Sequence, residues 1–267
     1  MKLSIITVNL NNIEGLKNTL ESVRKQTYKE FEYIVIDGAS TDGSVELIKN
    51  SPIVDSWISE KDTGVYEAMN KGIEKASGDY LLFLNSGDLL FSNNVIEAVI
   101  PKLISEAIIY GDIQFVEQDG ETLDTYYFPE NLSFKYFFHQ SLGHPSTFIR
   151  KDLFEKYGKY ETNYKIVADW VFFTRVIIKE QVSTKHITDV ISIFYMDGMS
   201  SDPKNRDTIE TERKTFLEKE FSLFHHDYVQ YFKLEDRLTK LENNQKRLQS
   251  SKGFRLLKAL GVKKFNE

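Results

Sequence analysis

Cysteine is absent from the 267 residues, which excludes disulfides, thiolate metal sites and thiol nucleophiles. Long apolar runs are absent as well. No stretch approaches the roughly 20 residues of a membrane-spanning helix, and residues 3–8 make too short an apolar run for a signal peptide. A cytoplasmic protein is the resulting expectation. After residues 3–8 the chain reads Asn9-Leu10-Asn11-Asn12-Ile13-Glu14-Gly15, with no Gly-x-Gly-x-x-Gly, and no Walker loop occurs anywhere. Any bound phosphate must therefore be held by side chains or a metal. Positive charge is in short supply too: 34 Lys and Arg face 40 Asp and Glu, and a net charge of -6 argues against a nucleic-acid partner.

The composition is otherwise that of a soluble globular protein, 41% apolar and 28% charged. The length suits one sizeable α/β core with an appendage. Strand and helix alternate along the first half: strands at 3–8, 31–37, 53–59 and 80–84, helices at 14–26, 44–48 and 66–76. Such βαβ alternation predicts a mostly parallel central sheet flanked by helices.

The informative stretch is 78–88, Gly-Asp-Tyr-Leu-Leu-Phe-Leu-Asn-Ser-Gly-Asp. Five successive apolar residues suit a strand buried on both faces. Asn85, Ser86 and Asp88 then lie at its carboxyl end, where open α/β sheets bind ligands. A carboxylate and an amide oxygen there suit a divalent cation that draws its remaining ligands from phosphates. A plain strand-to-loop turn favours the same residues. Asp37 and Asp62 follow two other strands, so the sheet aims acidic groups at one rim.

Four segments carry a resemblance: Ser4-Ile5-Ile6-Thr7-Val8-Asn9; the run 35–44 around Asp37-Gly38-Ala39-Ser40; the run 60–72 around Asp62; and Phe83-Leu84-Asn85-Ser86-Gly87-Asp88. Together they resemble family 2 glycosyltransferases of GT-A fold, most closely bacterial enzymes that build surface polysaccharides. The resemblance is dense over residues 1–115, looser to 200 and absent beyond. It implies a catalytic domain over 1–200, with a nucleotide-sugar half at 1–115 and an acceptor half at 116–200, and a helical extension at 201–267. It also implies that Thr7, Asn9, Asp37, Asp62 and Asn70 line the nucleotide pocket. The family's metal motif is commonly Asp-x-Asp, and here one sure carboxylate, Asp88, remains beside Gly87; Mg²⁺ or Mn²⁺ is still the expected cofactor. Asp37 and Asp42 also suit a purely turn-shaping role.

Further on, a helix is expected at 95–104, a strand at 107–116, a hairpin turn at Asp119-Gly120 and a return strand to 128. The aromatic run 132–142 suits either core packing or a sugar platform. Gly143-His144-Pro145-Ser146 resembles the family's His-Gln-Ser segment, which offers His144 as an acceptor or phosphate contact; a hydrogen-bonded structural histidine is the alternative. Asp169, in Val167-Ala168-Asp169-Trp170, matches the family's acidic motif and is the expected base. One carboxylate suffices for inverting transfer, whereas a glycosidase needs two. An Asp at a helix start is equally an ordinary cap. Trp170 would pack on a donor or acceptor sugar.

Residues 203–232 read as charged helix, and Leu234, Leu238, Leu241 and Leu248 fall near coiled-coil spacing with Gln245 interrupting, so either a homo-oligomer or a helix folding back is expected. Residues 252–264 carry five cationic side chains and no acidic one, which suits an anionic membrane surface at the inner face of the plasma membrane, or simple solvation. The sequence thus predicts an inverting, metal-assisted transferase moving a sugar from a nucleoside-diphosphate sugar, UDP favoured, to a glycan or lipid-linked acceptor. The alternatives are a sugar-nucleotide pyrophosphorylase and a non-catalytic glycan-binding descendant.

Overall fold

Strand β1 (Leu3–Asn9) is buried along its whole length, as a strand covered by helices on both faces should be. It lies inside the sheet of the computed structural model, which describes residues 1–117, 121–196 and 198–260. Parallel to it run β2 (Phe31–Asp37) on one side and β4 (Tyr80–Phe83) on the other, with β3 (Ser56–Ser59) beyond β2. The crossovers are α1 (Ile13–Arg24), α2 (Ser44–Lys49) and α3 (Val65–Lys75). Helix α1 buries Leu16, Leu20 and Val23, one face of a 3.6-residue period, and is capped by Asn12, whose side chain accepts from the Gly15 N–H. Helix α3 sits so close to β1 that a Cβ on Gly72 would lie 2.5 Å from Ile6 Cγ2. Alternation in the sequence and observed topology agree throughout this half.

The second half departs from the parallel plan. It comprises β5 (Leu89–Leu90), α4 (Val95–Val99), β6 (Ile108–Val116), β7 (Thr122–Tyr126), α5 (Phe134–His139), β8 (Thr147–Arg150), α6 (Asp152–Tyr157), α7 (Ala168–Thr174) and β9 (Thr184–Tyr195). The sheet order is β3-β2-β1-β4-β8-β6-β9-β5, with β7 paired to β6. Strand β8 runs antiparallel between β4 and β6, and β5 runs antiparallel to β9. The sheet is therefore mixed, with β6 and β9 a further parallel pair in the second half. Four residues of β8 carry too short a pattern to be read from sequence. The helix expected at 95–104 stops at Val99, where Pro101 turns the chain into a 3₁₀ segment. Strands β6 and β7 pair antiparallel as expected, while the Asp119-Gly120 turn lies outside the described residues.

Two compact units divide after Arg213: Met1–Arg213 and Lys214–Glu267. Glu212 hydrogen-bonds three backbone N–H groups at residues 165–167 and belongs with the first unit. The remaining helices are α8 (Arg206–Glu220), α9 (Ser222–Ser250) and α10 (Lys252–Ala259). The continuous helix expected at 203–232 is broken at Phe221, which adopts φ -128°, ψ 32°. Lys263 and Lys264 lie outside the described residues.

Candidate active site

Strand β4 delivers the chain to a tight turn. Asp88 donates its N–H to the Asn85 carbonyl at 2.9 Å, and its Oδ2 accepts from the Asn85 N–H at 3.1 Å. Gly87 between them holds φ +107°, a conformation in which a side chain is strained. Thr19 of α1 clasps the turn, its hydroxyl accepting from Gly87 N–H at 2.9 Å and donating to Asp88 O at 2.8 Å.

His144 begins a 3₁₀ turn just before β8 and points at this turn. Its Nε2 lies 3.0 Å from Asn85 Nδ2 and 3.7 Å from Asp88 Oδ2, and its Nδ1 lies 3.4 Å from Asp169 Oδ2. Burial opposes the imidazolium, but hydrogen bonds and charge from Asp169 and Asp88 outweigh it and raise His144 to about 9. The protonated ring carries an N–H on both nitrogens, with Nδ1–H directed at Asp169 and Nε2–H toward Asp88, and Asn85 Oδ1 is buried without a hydrogen-bond partner.

Asp169 sits in the first turn of α7, and the segment that enters this helix is anchored by another residue. Glu212 accepts the N–H groups of Lys165, Ile166 and Val167 at 2.7, 3.1 and 3.3 Å. Asp169 Oδ1 takes the Trp170 N–H at 2.8 Å and the Tyr66 hydroxyl at 2.9 Å, while Oδ2 meets His144. Burial pushes its carboxyl upward, yet the His144 hydrogen bond and charge, with the Trp170 and Tyr66 donors, hold it below the usual carboxylate range.

Asn85, Ser86, Asp88, His144, Asp169 and Trp170 line one cavity of ≈ 560 Å³. Trp170 is 1% exposed, its indole N–H donates to Phe137 O at 2.8 Å, and the Arg213 guanidinium lies 5.1 Å from its ring centroid. It is thus a packed wall rather than an open platform. Phe137 of the 132–142 run is fully buried and belongs to the core. The aromatic wall comes instead from Phe115 of β6, Tyr126 of β7, Phe128 and Phe194 of β9, with Phe115 and Phe194 5.8 Å apart and Tyr126 and Phe128 4.8 Å apart.

The other expected site residues lie elsewhere. Thr7 is fully buried and cross-links strands, its hydroxyl 2.6 Å from Leu84 O and 2.9 Å from the Tyr33 hydroxyl. Asn70 pairs both side-chain atoms with the Tyr160 backbone, at 2.8 and 3.0 Å. Asp37 is fully buried and accepts from Asn9 Nδ2, Ser40 N–H, Ser40 Oγ and Ser59 Oγ at 2.5 to 2.9 Å. Its lone pairs are committed to shaping the rim. Asp42 likewise accepts the N–H groups of Ile13 and Ser44. Asp62 is half-buried; a Cβ on Gly38 would meet its Oδ2 at 2.8 Å, and burial raises its carboxyl. The β1–α1 loop joins the two groups: Asn11 N–H donates to Ser40 Oγ at 2.8 Å, and Asn12 Nδ2 to Ser86 O at 3.2 Å.

Hard dications take oxygen ligands, and Mg²⁺ needs one or two carboxylates when phosphates complete its shell. Asp88 and the unpartnered Asn85 Oδ1 fit that requirement. Among the described residues no group of three or more His, Cys, Asp or Glu could hold an ion unaided. Arg213, Glu212 and Tyr66 were not foreseen, since a lone Arg or Glu in a charged helix and a Tyr at a helix start carry no local signature.

The family model described as Glycosyl transferase family 2 matches residues 4–158. An uncharacterized glycosyltransferase of Mycobacterium tuberculosis is 35% identical over 184 residues, 66% of this chain and 68% of that protein. A PGL/p-HBAD biosynthesis glycosyltransferase of Mycobacterium bovis is 30% identical over 201 residues, 72% and 75% of the two chains. Among solved structures, S. aureus TarS in complex with UDP-GlcNAc superposes with TM-score 0.60 at 20% identity, over 73% of this chain and 58% of that one. A mannosyltransferase from Pyrobaculum calidifontis in complex with GDP-Man and Mn²⁺ gives 0.55 at 16%, over 72% and 56%. At such identities these two structures speak to the fold, and this chain spans about six-tenths of each.

Proposed function

Because the chain belongs to the family 2 glycosyltransferases and has their GT-A fold, we propose that it transfers a sugar, with inversion, from a UDP-sugar to a hydroxyl of a surface glycan or lipid-linked glycan. The observation that carries this reading is the single cavity onto which the Asn85–Asp88 turn, His144 and Asp169 all open.

In this reading Asp169 is the general base. Its carboxylate is held ionised by His144, Tyr66 and the Trp170 N–H, so it can take the acceptor proton while the nucleotide departs from the opposite face of the anomeric carbon. Asp88 and Asn85 would hold Mg²⁺ or Mn²⁺, which when bound supplies positive charge to the leaving diphosphate. His144 and Arg213 add cationic character on the same cavity wall, where the diphosphate develops charge. Asp62 is the carboxylate best placed to accept from the base, with Asp37, Asn9 and Ser40 fixing the loop beside it. Phe115 and Phe194 offer aromatic faces to the acceptor. Helix α10, with Lys252, Arg255 and exposed Leu256 and Leu257, would bring the enzyme to an anionic membrane carrying a lipid-linked acceptor.

The test is nucleotide release across a panel of UDP-, GDP- and dTDP-sugars, with and without EDTA. Release of UDP lost in EDTA and restored by Mn²⁺ supports the reading. Turnover that requires pyrophosphate, or silence with every donor, overturns it.

A further inference from the structure

We propose that α9 forms a parallel, in-register, two-stranded coiled coil with a second copy of this chain. The helix runs 29 residues, about 43 Å at 1.5 Å per residue, and buries none of them. Leu234, Leu238, Leu241 and Leu248 are 64, 57, 58 and 64% exposed. They follow one another at intervals of four, three and seven, which puts Leu234, Leu241 and Leu248 at d and Leu238 at a, with Gln245 at the next a. That is a seam of period 3.5, narrower than the 3.6-period face of a helix lying on a globular core. Tyr231 takes the preceding a position.

Flanking charge selects the occupant and its direction. The e positions are Glu235, Glu242 and Gln249; the g positions are Gln230, Arg237 and Asn244. In a parallel pair each g faces the e five residues later on its partner, so Arg237 meets the partner's Glu242 and Asn244 meets the partner's Gln249. An antiparallel pair would set e against e, with acidic Glu235 and Glu242 facing the same acidic row. Gln245 at an a position faces its own counterpart only in the parallel, unshifted register, the use to which a single polar a residue is put. The Lys240 and Asp236 side chains pair at 2.6 Å at positions c and f, on the face away from the seam. A membrane surface offers no counterpart for the Arg237–Glu242 charge pair.

The absence of cysteine makes the register directly measurable. Gln245→Cys in the full chain introduces a lone thiol, and in the proposed register the two Cβ atoms come within disulfide reach. The expected results are a mass twice the 31.1 kDa of the chain by analytical ultracentrifugation, and a covalent dimer of Gln245→Cys under mild oxidation. Leu241→Glu returns the mass to one chain without lowering the thermal midpoint of the catalytic unit. Arg237→Glu weakens the dimer, and adding Glu242→Arg restores it. A single-chain mass for the wild type at tens of micromolar overturns the proposal. So does a dimer whose Gln245→Cys variant fails to cross-link. Two other outcomes reassign the face: Leu241→Glu lowering the thermal midpoint of a single-chain wild type gives it to the protein's own surface, and its abolishing co-sedimentation of such a chain with anionic vesicles gives it to lipid.

Discussion

The His144 imidazole lies 3.4 Å from Asp169 Oδ2 and 3.7 Å from Asp88 Oδ2, so one ring links the expected base to the expected metal carboxylate. Asp169→Asn keeps the size of the site and the Oδ1 hydrogen bonds to Trp170 N–H and Tyr66, loses the acceptor for His144, and cannot take a proton. We expect transfer to fall by about 10² to 10⁴ while UDP binding, read by calorimetry, changes less than roughly threefold. Equal turnover in variant and wild type would remove Asp169 from the chemistry.

The pH profile carries a second test of the same pair. Asp169 is held below the ordinary carboxylate range, so the acid limb of kcat/KM should lie below about 4, the reference value for Asp. His144→Gln removes the cation and should move that limb upward. Tyr66 and Arg213 also face Asp169, and Tyr66→Phe should move the limb in the same direction by less.

Asp37 bears on stability. Its folded carboxyl is depressed: burial works against the charge, but donors from Ser40, Ser59 and Asn9 outweigh it. A depressed acid stabilises above its unfolded value, near 4, and that contribution is lost as pH falls through the lower folded value. Asp37→Ala should therefore cost about 1.5 to 3 kcal/mol at pH 7 and show a smaller further loss on acidification below pH 4. Urea unfolding at pH 7 and pH 3 measures both.

Gly87→Asp would restore a second carboxylate beside Asp88 at a residue with φ +107°. Nothing but Asn12 Nδ2, 3.7 Å away, approaches its Cβ position, so the cost is conformational, about 1 to 2 kcal/mol. A thermal midpoint lowered by roughly 2 to 8 °C is expected. An unchanged midpoint would show that the turn relaxes freely.

Phe115→Ala removes one face of the aromatic wall. A stacking contact contributes about 1 kcal/mol, so acceptor KM should rise roughly fivefold with donor affinity unchanged. A matching loss of donor affinity would place the wall on the donor side.

Much of the N-terminal architecture was legible because periodicity marks buried strands and amphipathic helices directly, as with β1, α1 and β4. The Asn85–Asp88 turn was legible for the same reason: a strand ending in polar residues has one place to put them. Thr7 and Asn70 sit in recognisable motifs yet satisfy their hydrogen bonds inside the protein, and sequence does not say which way a polar side chain at a strand end will turn. Of the two readings open for 132–142, core packing holds for Phe137, and the aromatic wall was not legible elsewhere because strand aromatics such as Phe115 and Phe194, almost eighty positions apart, meet only through pairing of β6 with β9. Glu212 and Arg213 were invisible for a related reason: each acts on a segment more than forty residues upstream.

Glu212 has one more consequence. The family model ends at residue 158, so both the helix bearing Asp169 and the carboxylate that anchors its entry lie past the segment that model covers. A chimera splicing residues 1–158 onto another enzyme's continuation would keep the Asn85–Asp88 turn but replace the proposed base, and it should function only when that continuation brings its own partner for the 165–167 amides.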